Sequence, residues 1–430
     1  MPGITDSIRA SLVDVKFLKP AKSEYCMSVC RNCASENLEL VLDLGLQPWG
    51  NHFVSVSQVR DIPRYPLQLL VCEQCWMAQI GHTVPKEIMF VDHGYLTGTT
   101  RSIRTHFKAV VDGLTSRMKF NAGDYVLDIG GNDGTFLQEV KKKGIDVLNV
   151  DSGKLQAQRS EEAGIPCMNR FFDEESAEQI VESKGHACVV HGANVLFHVE
   201  ELHSVFSGIK KVMASDGRLV AEFVYLPTIL ENNTFDQIYH EHLLYYSLHS
   251  FDRLLATHGM KLVDVYPVPI HGGSCVAYAA HAEEPIAVSQ RLTDMLAEER
   301  RMGVESMSIY LDFPKRVSDF RMKLLNIIDT LRAEGQSIQA LGAPVKGSTI
   351  INYCRLDSDR VDCAVEVNEL KVGTYIPGTT IPVRHQDDTV WPDVYLLLSW
   401  NFKDEILEKF SDFRDQGGRF IVPFPEPRLI

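Results

Sequence analysis

The sequence contains no long apolar segment and fewer basic than acidic residues. No run of about 18 apolar residues occurs, so we expect no segment that crosses a membrane. The amino terminus lacks the basic and then apolar pattern of a secretory signal. The chain has 43 Lys and Arg against 57 Asp and Glu, a formal net charge of -14, which argues against broad binding to nucleic-acid phosphates. We therefore expect a cytoplasmic protein without membrane or nucleic-acid partners.

Low-complexity segments and short-period repeats are also missing. The 430 residues, of which 45% are hydrophobic, are enough for two or three domains that each bury a core. Ten cysteines are present. In a long cytosolic chain, closely spaced cysteine pairs hold metal more often than they form disulfides.

Two Cys-x-x-Cys pairs near the amino terminus predict a metal site. Cys30 and Cys33 form the first pair, and Cys72 and Cys75 form the second. Four thiolates can surround zinc tetrahedrally, and binding stabilises a module that has little core of its own. Such a closed site leaves no position for water, so we interpret the zinc as structural. Cys26 is an alternative ligand, and redox-active cysteine pairs are an alternative explanation.

A strand, a glycine-rich turn and a helix are predicted from position 125 onward, in the sequence YVLDIGGNDGTFL. Glycines allow a sharp turn and a close approach of backbone amides to a ligand at the carboxyl end of a parallel strand. The spacing Asp-x-Gly-x-Asn-x-Gly resembles the first motif of methyltransferases that use S-adenosylmethionine. A purely structural turn is the alternative. The candidate cofactor residues in this turn are Asp128, Gly130, Gly131, Asn132 and Gly134.

Three further candidates follow predicted strands. Asp151 comes directly after the strand 147–150, where doubly wound folds place the carboxylate that holds a ribose hydroxyl pair. Asn194 and His198 follow the strand 187–190, where an open α/β sheet presents loops to its ligand. A histidine in such a loop is more often a packing residue, so a structural role for His198 stays open.

The segment Tyr239-His240-Glu241-His242 brings together the residue types that transfer protons. An imidazole titrates near neutrality and can take a proton from a carbon next to a carbonyl group. A tyrosine or a second histidine can then bind the developing enolate oxygen. A second metal site is the alternative, although a zincin motif has its histidines at positions i and i+4 on a helix.

The carboxy-terminal third predicts helices between 283 and 334 and then a second α/β pattern. Strands are predicted at 337–342, 361–365 and 394–399. Lys346 lies after the first of these strands, where an ammonium group could hold phosphates, and Tyr353 follows it. We take Lys346 and Tyr353 as candidate substrate-binding residues.

Taken in order, these motifs resemble the sugar C-methyltransferases that act on nucleotide-linked keto-deoxysugars. Four segments carry the resemblance along with the cysteine pairs: 128–134, 239–242, His271-Gly-Gly-Ser274, and a carboxy-terminal stretch that includes 342–354 and 375–382. The resemblance implies an α/β protein with a zinc-binding module at 1–90, a Rossmann-like class I methyltransferase domain at 91–283, and a second Rossmann-like domain at 284–430 that helps to bind the sugar nucleotide.

The resemblance also implies a mechanism and its residues. His242 is the expected base, and Tyr95, His198, Tyr239 and Glu241 are expected to line the reacting sugar. A 4-keto group acidifies the adjacent carbon, His242 removes its proton, Tyr239 or His198 stabilises the enolate, and the carbon takes the methyl group of S-adenosylmethionine. The expected substrate is a dTDP-linked or similar sugar of branched-chain deoxysugar biosynthesis, and the protein is expected to be a monomer or homodimer. An O- or N-methyltransferase and a non-catalytic sugar-nucleotide binding protein are the alternatives.

Overall fold

The computed structural model describes residues 26–91, 93–99 and 101–430. The first 25 residues of the predicted zinc-binding module, and with them the expectation about a signal segment, lie outside the described residues. Three sheets organise the described chain. We call the parts built around them the amino-terminal module, the middle domain and the carboxy-terminal domain.

Seventeen strands are assigned in the described residues. They are β1 (Leu38–Pro48), β2 (Arg64–Cys72), β3 (Ala78–Ile80), β4 (Tyr125–Ile129), β5 (Asp146–Val150), β6 (Cys167–Met168), β7 (Ala187–Ala193), β8 (Met213–Val224), β9 (Leu244–Tyr245), β10 (Met260–Val268), β11 (Ser274–His281), β12 (Ile338–Leu341), β13 (Ala364–Glu366), β14 (Val383–His385), β15 (Val394–Leu397), β16 (Arg419–Val422) and β17 (Arg428–Leu429).

Helices connect and cover these strands. They are α1 (Lys86–Phe90), α2 (Arg101–Arg117), α3 (Thr135–Lys142), α4 (Lys154–Glu162), α5 (Glu174–Lys184), α6 (Leu202–Val212), α7 (Leu226–Glu231), α8 (Leu248–Thr257), α9 (Gln290–Met302), α10 (Ser308–Leu311), α11 (Phe313–Ala333), α12 (Val345–Tyr353), α13 (Lys403–Lys409) and α14 (Ser411–Asp415). Short 3₁₀ helices occur at Val59–Asp61, Thr97–Thr99, Phe235–Gln237, Ile270–Gly272, Gln386–Asp388 and Trp400–Phe402.

The amino-terminal module contains an antiparallel sheet in the order β1-β2-β3-β9. Alternation along β2 buries Leu67, Leu69 and Val71 on one face, as expected for a half-buried strand. The fourth strand, β9, comes from the middle of the chain and pairs with β3 through Ala78 and Gln79. The sheet of the amino-terminal module is therefore completed by a strand that lies far downstream in the sequence.

The middle domain has a seven-stranded sheet in the order β10-β11-β8-β7-β4-β5-β6. Strands β4 to β8 run parallel, as the alternation of strands and helices predicts. A strand is predicted at 274–278, and the alternation of strands and helices predicts that the sheet is parallel, but β11 runs antiparallel to both β8 and β10. Residues 269–273 are too few for the crossover that a parallel connection requires, so β10 and β11 form a hairpin.

The carboxy-terminal domain has a six-stranded sheet in the order β14-β13-β12-β15-β16-β17. All neighbouring pairs are parallel except β16 and β17. The α/β fold class, with a zinc module and two Rossmann-like parts, is confirmed.

The three parts share one hydrophobic core. Leu69 of β2, Phe223 of β8 and Ile350 of α12 are buried in the same cluster. No helix within the described ranges is long and apolar enough to cross a membrane. A cavity that all three parts line lies where they meet.

Candidate active site

The four predicted zinc ligands come together in the amino-terminal module. One ligand atom from each of Cys30, Cys33, Cys72 and Cys75 lies within 4.8 Å of the others. The sulfurs of Cys30 and Cys75 are 3.5 Å apart, as are those of Cys33 and Cys72. Sulfurs bound tetrahedrally to zinc at about 2.3 Å would be separated by about 3.8 Å, so the four thiolates fit this metal.

Each Cys-x-x-Cys pair ends in the same backbone turn. Ala34 and Trp76, which follow the second cysteine of each pair, both have positive φ values, of 56° and 61°. Their amides donate to the carbonyls of Cys30 and Cys72, at 2.9 and 2.8 Å. Cys26 is outside the group, and its sulfur lies 3.9 Å from Nδ1 of His82.

A cavity of about 960 Å³ lies between the three parts of the chain. Trp49 of the amino-terminal module, Gly130 of the middle domain and Lys346 of the carboxy-terminal domain all line it. The five candidate catalytic residues line this one cavity as well: Tyr95, His198, Tyr239, Glu241 and His242. Sequence positions far apart thus meet around a single space.

Part of the cavity wall is formed by the glycine turn and the loop after β7. Gly130, Asn132, Asp151 and Asn194 line it. Gly130 has a φ of 65°, and a Cβ atom there would lie 2.6 Å from Cγ2 of Val195, so no larger residue fits. Oδ1 of Asn194 is buried without a hydrogen-bond partner. A tight turn beside an unpartnered acceptor fits the polar portion of S-adenosylmethionine.

Two backbone amides hold the carboxylate of Asp151 beside the glycine turn. The amide of Asn132 donates to its Oδ2 at 2.9 Å, and the amide of Gly153 donates to its Oδ1 at 2.8 Å. Burial raises the pKa of Asp151 to about 6, although both amides oppose the shift. The carboxylate keeps free lone pairs for a hydroxyl pair, which is the chemistry that a ribose requires.

Three candidate cofactor residues shape the turn without lining the cavity. Oδ1 of Asp128 lies 2.7 Å from Nδ1 of His191, the residue opposite it on β7. A Cβ atom on Gly131 would lie 2.5 Å from Oδ1 of Asn149, and Gly134 is the N-cap residue that precedes α3, with a φ of 74°. Their direct contact with cofactor stays a prediction.

Two of the histidines that line the cavity face each other. The rings of His198 and His242 are 5.0 Å apart and inclined by 27°, and the ring of Tyr239 lies 3.9 Å from that of His242. Nε2 of His198 and Nδ1 of His242 are buried without a hydrogen-bond partner. Burial lowers the pKa of His198 to about 3 and the pKa of His242 well below its usual value. Both imidazoles are therefore neutral and have a free nitrogen.

Glu241 points toward the amino-terminal module. The indole nitrogen of Trp49 donates to its Oε1 at 2.6 Å. Burial raises the pKa of Glu241 to about 7, against the opposing effects of Trp49 and of the Lys371 ammonium group. This pKa is low enough for a substantial ionised fraction at neutral pH.

Tyr95 lies on a loop that is hydrogen-bonded to the glycine turn and to α4. Its carbonyl oxygen accepts hydrogen bonds from Nδ2 of Asn132 at 3.2 Å and from Nε2 of Gln156 at 2.9 Å. The residue is 48% exposed. Tyr95 thus forms part of the cavity wall that solvent still reaches.

The two candidate substrate residues differ in position. Nζ of Lys346 donates to Oδ1 of Asn401 at 2.6 Å and lies 4.1 Å from the ring centre of Trp400. Burial lowers the pKa of Lys346 to about 8, and Asp236 opposes this shift. Tyr353 is not among the lining residues of the cavity; its ring packs edge-on against Phe235 at 5.3 Å.

Glu222 and His106 line the cavity but were not singled out from the sequence. Nε2 of His106 lies 2.5 Å from Oε2 of Glu222, and Nδ2 of Asn194 donates to Oε1 at 2.9 Å. Burial acts to raise the pKa of Glu222, but His106, His271 and Asn194 together bring it below its usual value. A carboxylate at the end of the apolar strand RLVAEFV was the signal that could have identified it.

Three residues that line the cavity have positive φ values without being glycine. They are Asn132, Asn194 and His271, with φ of 51°, 55° and 56°. Such conformations cost free energy and cluster at functional sites, where the surrounding structure holds them. His271 belongs to the motif His-Gly-Gly-Ser, whose role the sequence did not specify.

Three family models match successive parts of the chain. A zinc binding domain matches residues 30–90, a methyltransferase domain matches residues 103–265, and a C-methyltransferase C-terminal domain matches residues 269–425. The chain is also similar to C-methyltransferase NovU from Streptomyces niveus. The two are 33% identical over 404 residues, which cover 93% of this chain and 96% of NovU.

Solved structures resemble parts of the chain. A magnesium protoporphyrin IX methyltransferase from Synechocystis with bound S-adenosylmethionine is 13% identical, with a TM-score of 0.31, over 41% of this chain and 79% of its own. A methyltransferase from Anabaena variabilis that depends on S-adenosylmethionine is 15% identical, with a TM-score of 0.34, over 41% of this chain and 85% of its own.

Proposed function

The chain belongs to the C-methyltransferase family, whose members use S-adenosylmethionine, and we propose that it methylates the carbon beside the keto group of a nucleotide-linked 4-keto-deoxysugar. The substrate is a dTDP-linked or similar sugar nucleotide, and the reaction passes through an enolate. The motifs that resemble sugar C-methyltransferases support this choice of substrate class. We also propose that the zinc-binding module spans residues 1–90, the methyltransferase domain residues 91–283 and the carboxy-terminal domain residues 284–430.

The observation that carries the proposal is the free nitrogen of His242. Nδ1 is buried, lacks a hydrogen-bond partner and belongs to an imidazole that burial keeps neutral. A neutral imidazole accepts a proton, and the carbon next to a keto group is the acidic position of a 4-keto sugar. An O- or N-methyltransferase would not need a base placed beside an enolate-stabilising pair.

Tyr239 and His198 are the groups that can hold the enolate oxygen. Burial raises the pKa of Tyr239 well above its usual value, so its hydroxyl group stays protonated and can donate. His198 is neutral and carries one N–H group, which can also donate. Fixed donors aimed at a developing negative charge in a water-poor cavity stabilise that charge more than water does.

S-Adenosylmethionine, when bound, supplies an electrophilic methyl group. Gly130, Asn132, Asp151 and Asn194 would hold it, because they line the cavity and offer a close backbone approach and carboxylate and amide acceptors. Holding two reactants in a fixed orientation removes much of the entropic barrier to their reaction. Zinc would be held by the four cysteines and serve the fold alone.

Lys346 is placed to interact with the anionic part of a sugar nucleotide. Like Lys371, it is a cation that the carboxy-terminal domain contributes to the cavity, and with a pKa of about 8 it is mostly protonated at neutral pH. An ammonium group in a buried setting binds phosphate oxygens strongly. Tyr353, the last residue of α12, would act through its packing against Phe235 rather than through the cavity.

The test is incubation with S-adenosylmethionine and a panel of nucleotide-linked 4-keto-deoxysugars in deuterated water. We expect one methyl group on carbon, and deuterium uptake into the substrate that is lost in His242→Asn. The exposed His186→Asn is the matched control and should behave as wild type. A methyl group on oxygen or nitrogen would favour the alternative acceptor class, and no transfer despite cofactor binding would refute the proposal.

A further inference from the structure

Two of the four tryptophans donate their indole N–H groups to carboxyl groups of one short segment. Nε1 of Trp49 lies 2.6 Å from Oε1 of Glu241, and Nε1 of Trp400 lies 2.6 Å from Oδ2 of Asp236. We call residues 236–242, which end at His242, the catalytic segment. Trp49 follows β1 in the amino-terminal module, and Trp400 follows β15 in the carboxy-terminal domain. The catalytic segment is therefore held from both sides by parts of the chain outside the middle domain.

The catalytic segment has little regular structure of its own. Beyond the 3₁₀ helix Phe235–Gln237 it follows an irregular path until β9 begins at Leu244. The amides of Leu243 and Leu244 both donate to the carbonyl of Phe197, at 2.9 and 3.2 Å. Few backbone hydrogen bonds fix such a segment, so side-chain contacts decide its orientation.

A second contact from each side accompanies each tryptophan. Nε2 of His240 lies 3.3 Å from the carbonyl oxygen of Pro66 in β2. Oγ1 of Thr349 in α12 donates to the carbonyl of Ile238 at 3.3 Å. The segment is thus bound to both flanking parts by side-chain and backbone contacts, whereas Nδ1 of His242, which lines the cavity, has no hydrogen-bond partner.

We propose that Trp49 and Trp400 are positioning residues that set the orientation of the catalytic segment, acting through Glu241 and Asp236. This inference rests on the proposed function, because the segment carries the proposed base. A tryptophan side chain is rigid and offers one donor and no acceptor, so it fixes the direction of the carboxyl group that it binds. Hydrogen bonds to ionised groups are about twice as strong as neutral ones.

The charged groups around Glu241 and Asp236 affect how these two carboxyl groups ionise, so the contacts with the tryptophans should depend on pH. Glu241 is faced by Trp49, Tyr239 and the Lys371 ammonium group, and Asp236 by Trp400, Tyr239 and the Lys346 ammonium group. Burial raises the pKa of Asp236 to about 6 and that of Glu241 to about 7. Each indole stabilises the ionised form of its partner, so removal of the indole N–H would raise the pKa of that carboxyl group further.

The first experiment uses the whole protein labelled with ¹⁵N in its tryptophan indoles and needs no substrate. The four indole resonances are followed between pH 5 and pH 9. We expect the Trp49 resonance to shift as Glu241 ionises, and the Trp400 resonance to shift as Asp236 ionises. The first shift should vanish in Glu241→Gln and the second in Asp236→Asn. A Trp49 resonance that does not titrate, or that titrates equally in Glu241→Gln, would overturn the inference.

The second experiment measures catalysis in Trp49→Phe and Trp400→Phe, which keep an aromatic ring and lose the donor. Loss of a hydrogen bond to a charged group predicts a fall in kcat of about 10-fold to 100-fold, with KM within about two-fold. The acid limb of the Trp49→Phe profile should move to higher pH. Trp391→Phe is the matched control, since Trp391 is 45% exposed and packs on Phe413 away from the cavity.

Zinc content and thermal unfolding establish whether each variant is folded. If Trp49→Phe does not fold, Glu241→Leu, which removes the acceptor of the indole N–H, replaces it and should show a loss of kcat at least as large. If both fold, the double variant should lose no more activity than Glu241→Leu alone. Wild-type kcat and an unmoved pH profile in Trp49→Phe would refute the positioning role. Absence of methylation by the wild type would refute the proposed function, while the indole titration would still decide whether the contacts exist.

Discussion

Nε2 of His106 lies 2.5 Å from Oε2 of Glu222, and the contact joins α2, the helix before the glycine turn, to the carboxyl end of β8. Glu222 is 1% exposed and also accepts a hydrogen bond from Asn194. A buried carboxylate of this kind depends on its partner, because the interior solvates a lone charge poorly. The pair therefore couples the helix that covers the cavity to the sheet beneath it.

Replacement of one member of this pair should be more harmful than replacement of both. We expect His106→Ala to lower the free energy of unfolding by about 3–5 kcal/mol, because it leaves a buried charge without its partner. The double variant His106→Ala/Glu222→Gln should recover part of that loss. Urea denaturation of the four proteins measures the coupling, and strictly additive effects would contradict it.

Replacement of His242 should separate catalysis from cofactor binding. The ring packs against those of His198 and Tyr239, and we propose it as the base. His242→Asn should lower kcat by about 10²-fold to 10⁴-fold, the usual contribution of a general base. Calorimetry with S-adenosylhomocysteine should give a dissociation constant within about two-fold of wild type. Near-normal turnover would remove His242 from the role of base.

Cofactor affinity should decrease in acid because of Asp151. Its raised pKa, about 6, means that the carboxylate becomes protonated as the pH falls from 7 to 5, and a neutral carboxyl group accepts hydrogen bonds less strongly. The affinity for S-adenosylhomocysteine should fall through that range. Asp151→Asn should bind more weakly at pH 7 and lose this dependence on pH. The exposed Asp146→Asn, at the start of β5, is the control that should retain it.

The cysteine cluster can be tested by elemental analysis. Cys72→Ser removes one of the four thiolates, so the bound zinc should be lost and the module should unfold at lower temperature, since metal binding and folding are coupled. Cys26→Ser is the matched control because Cys26 lies outside the cluster beside His82. Unchanged zinc in Cys72→Ser, or loss of zinc in Cys26→Ser, would contradict the four-cysteine site.

Most of the fold could be predicted from local patterns in the sequence. The spacing of the cysteine pairs, the glycine turn after β4 and the alternation of strands and helices each depend on neighbouring residues, and each is found in the structure. Strand β11 was predicted, but its antiparallel direction was not, because that direction depends on the length of the connection to β10 rather than on the residues of the strand. Strand β9 has only the residues Leu244 and Tyr245, too few for a periodic pattern.

Contacts between distant parts of the chain could not be predicted from local sequence patterns. Trp49 and Glu241 are 192 positions apart, and nothing in the sequence around either residue indicates that the two are in contact. Glu222 was detectable as a charge in an apolar strand, whereas its partner His106 was one polar residue among many on α2. The sequence grouped candidate residues by chemistry, and the packing of three parts brought them to one cavity.

The pairing of β3 with β9 has a consequence for synthesis on the ribosome. The cysteines and strands β1 to β3 emerge first, and at about 5–20 residues per second the partner strand at Leu244–Tyr245 follows many seconds later. During that interval β3 has an open edge within the described sheet, and open edges invite pairing with other chains. Zinc can fold the cysteine turns early, but the nascent sheet becomes complete only when the segment that carries His242 has left the exit tunnel.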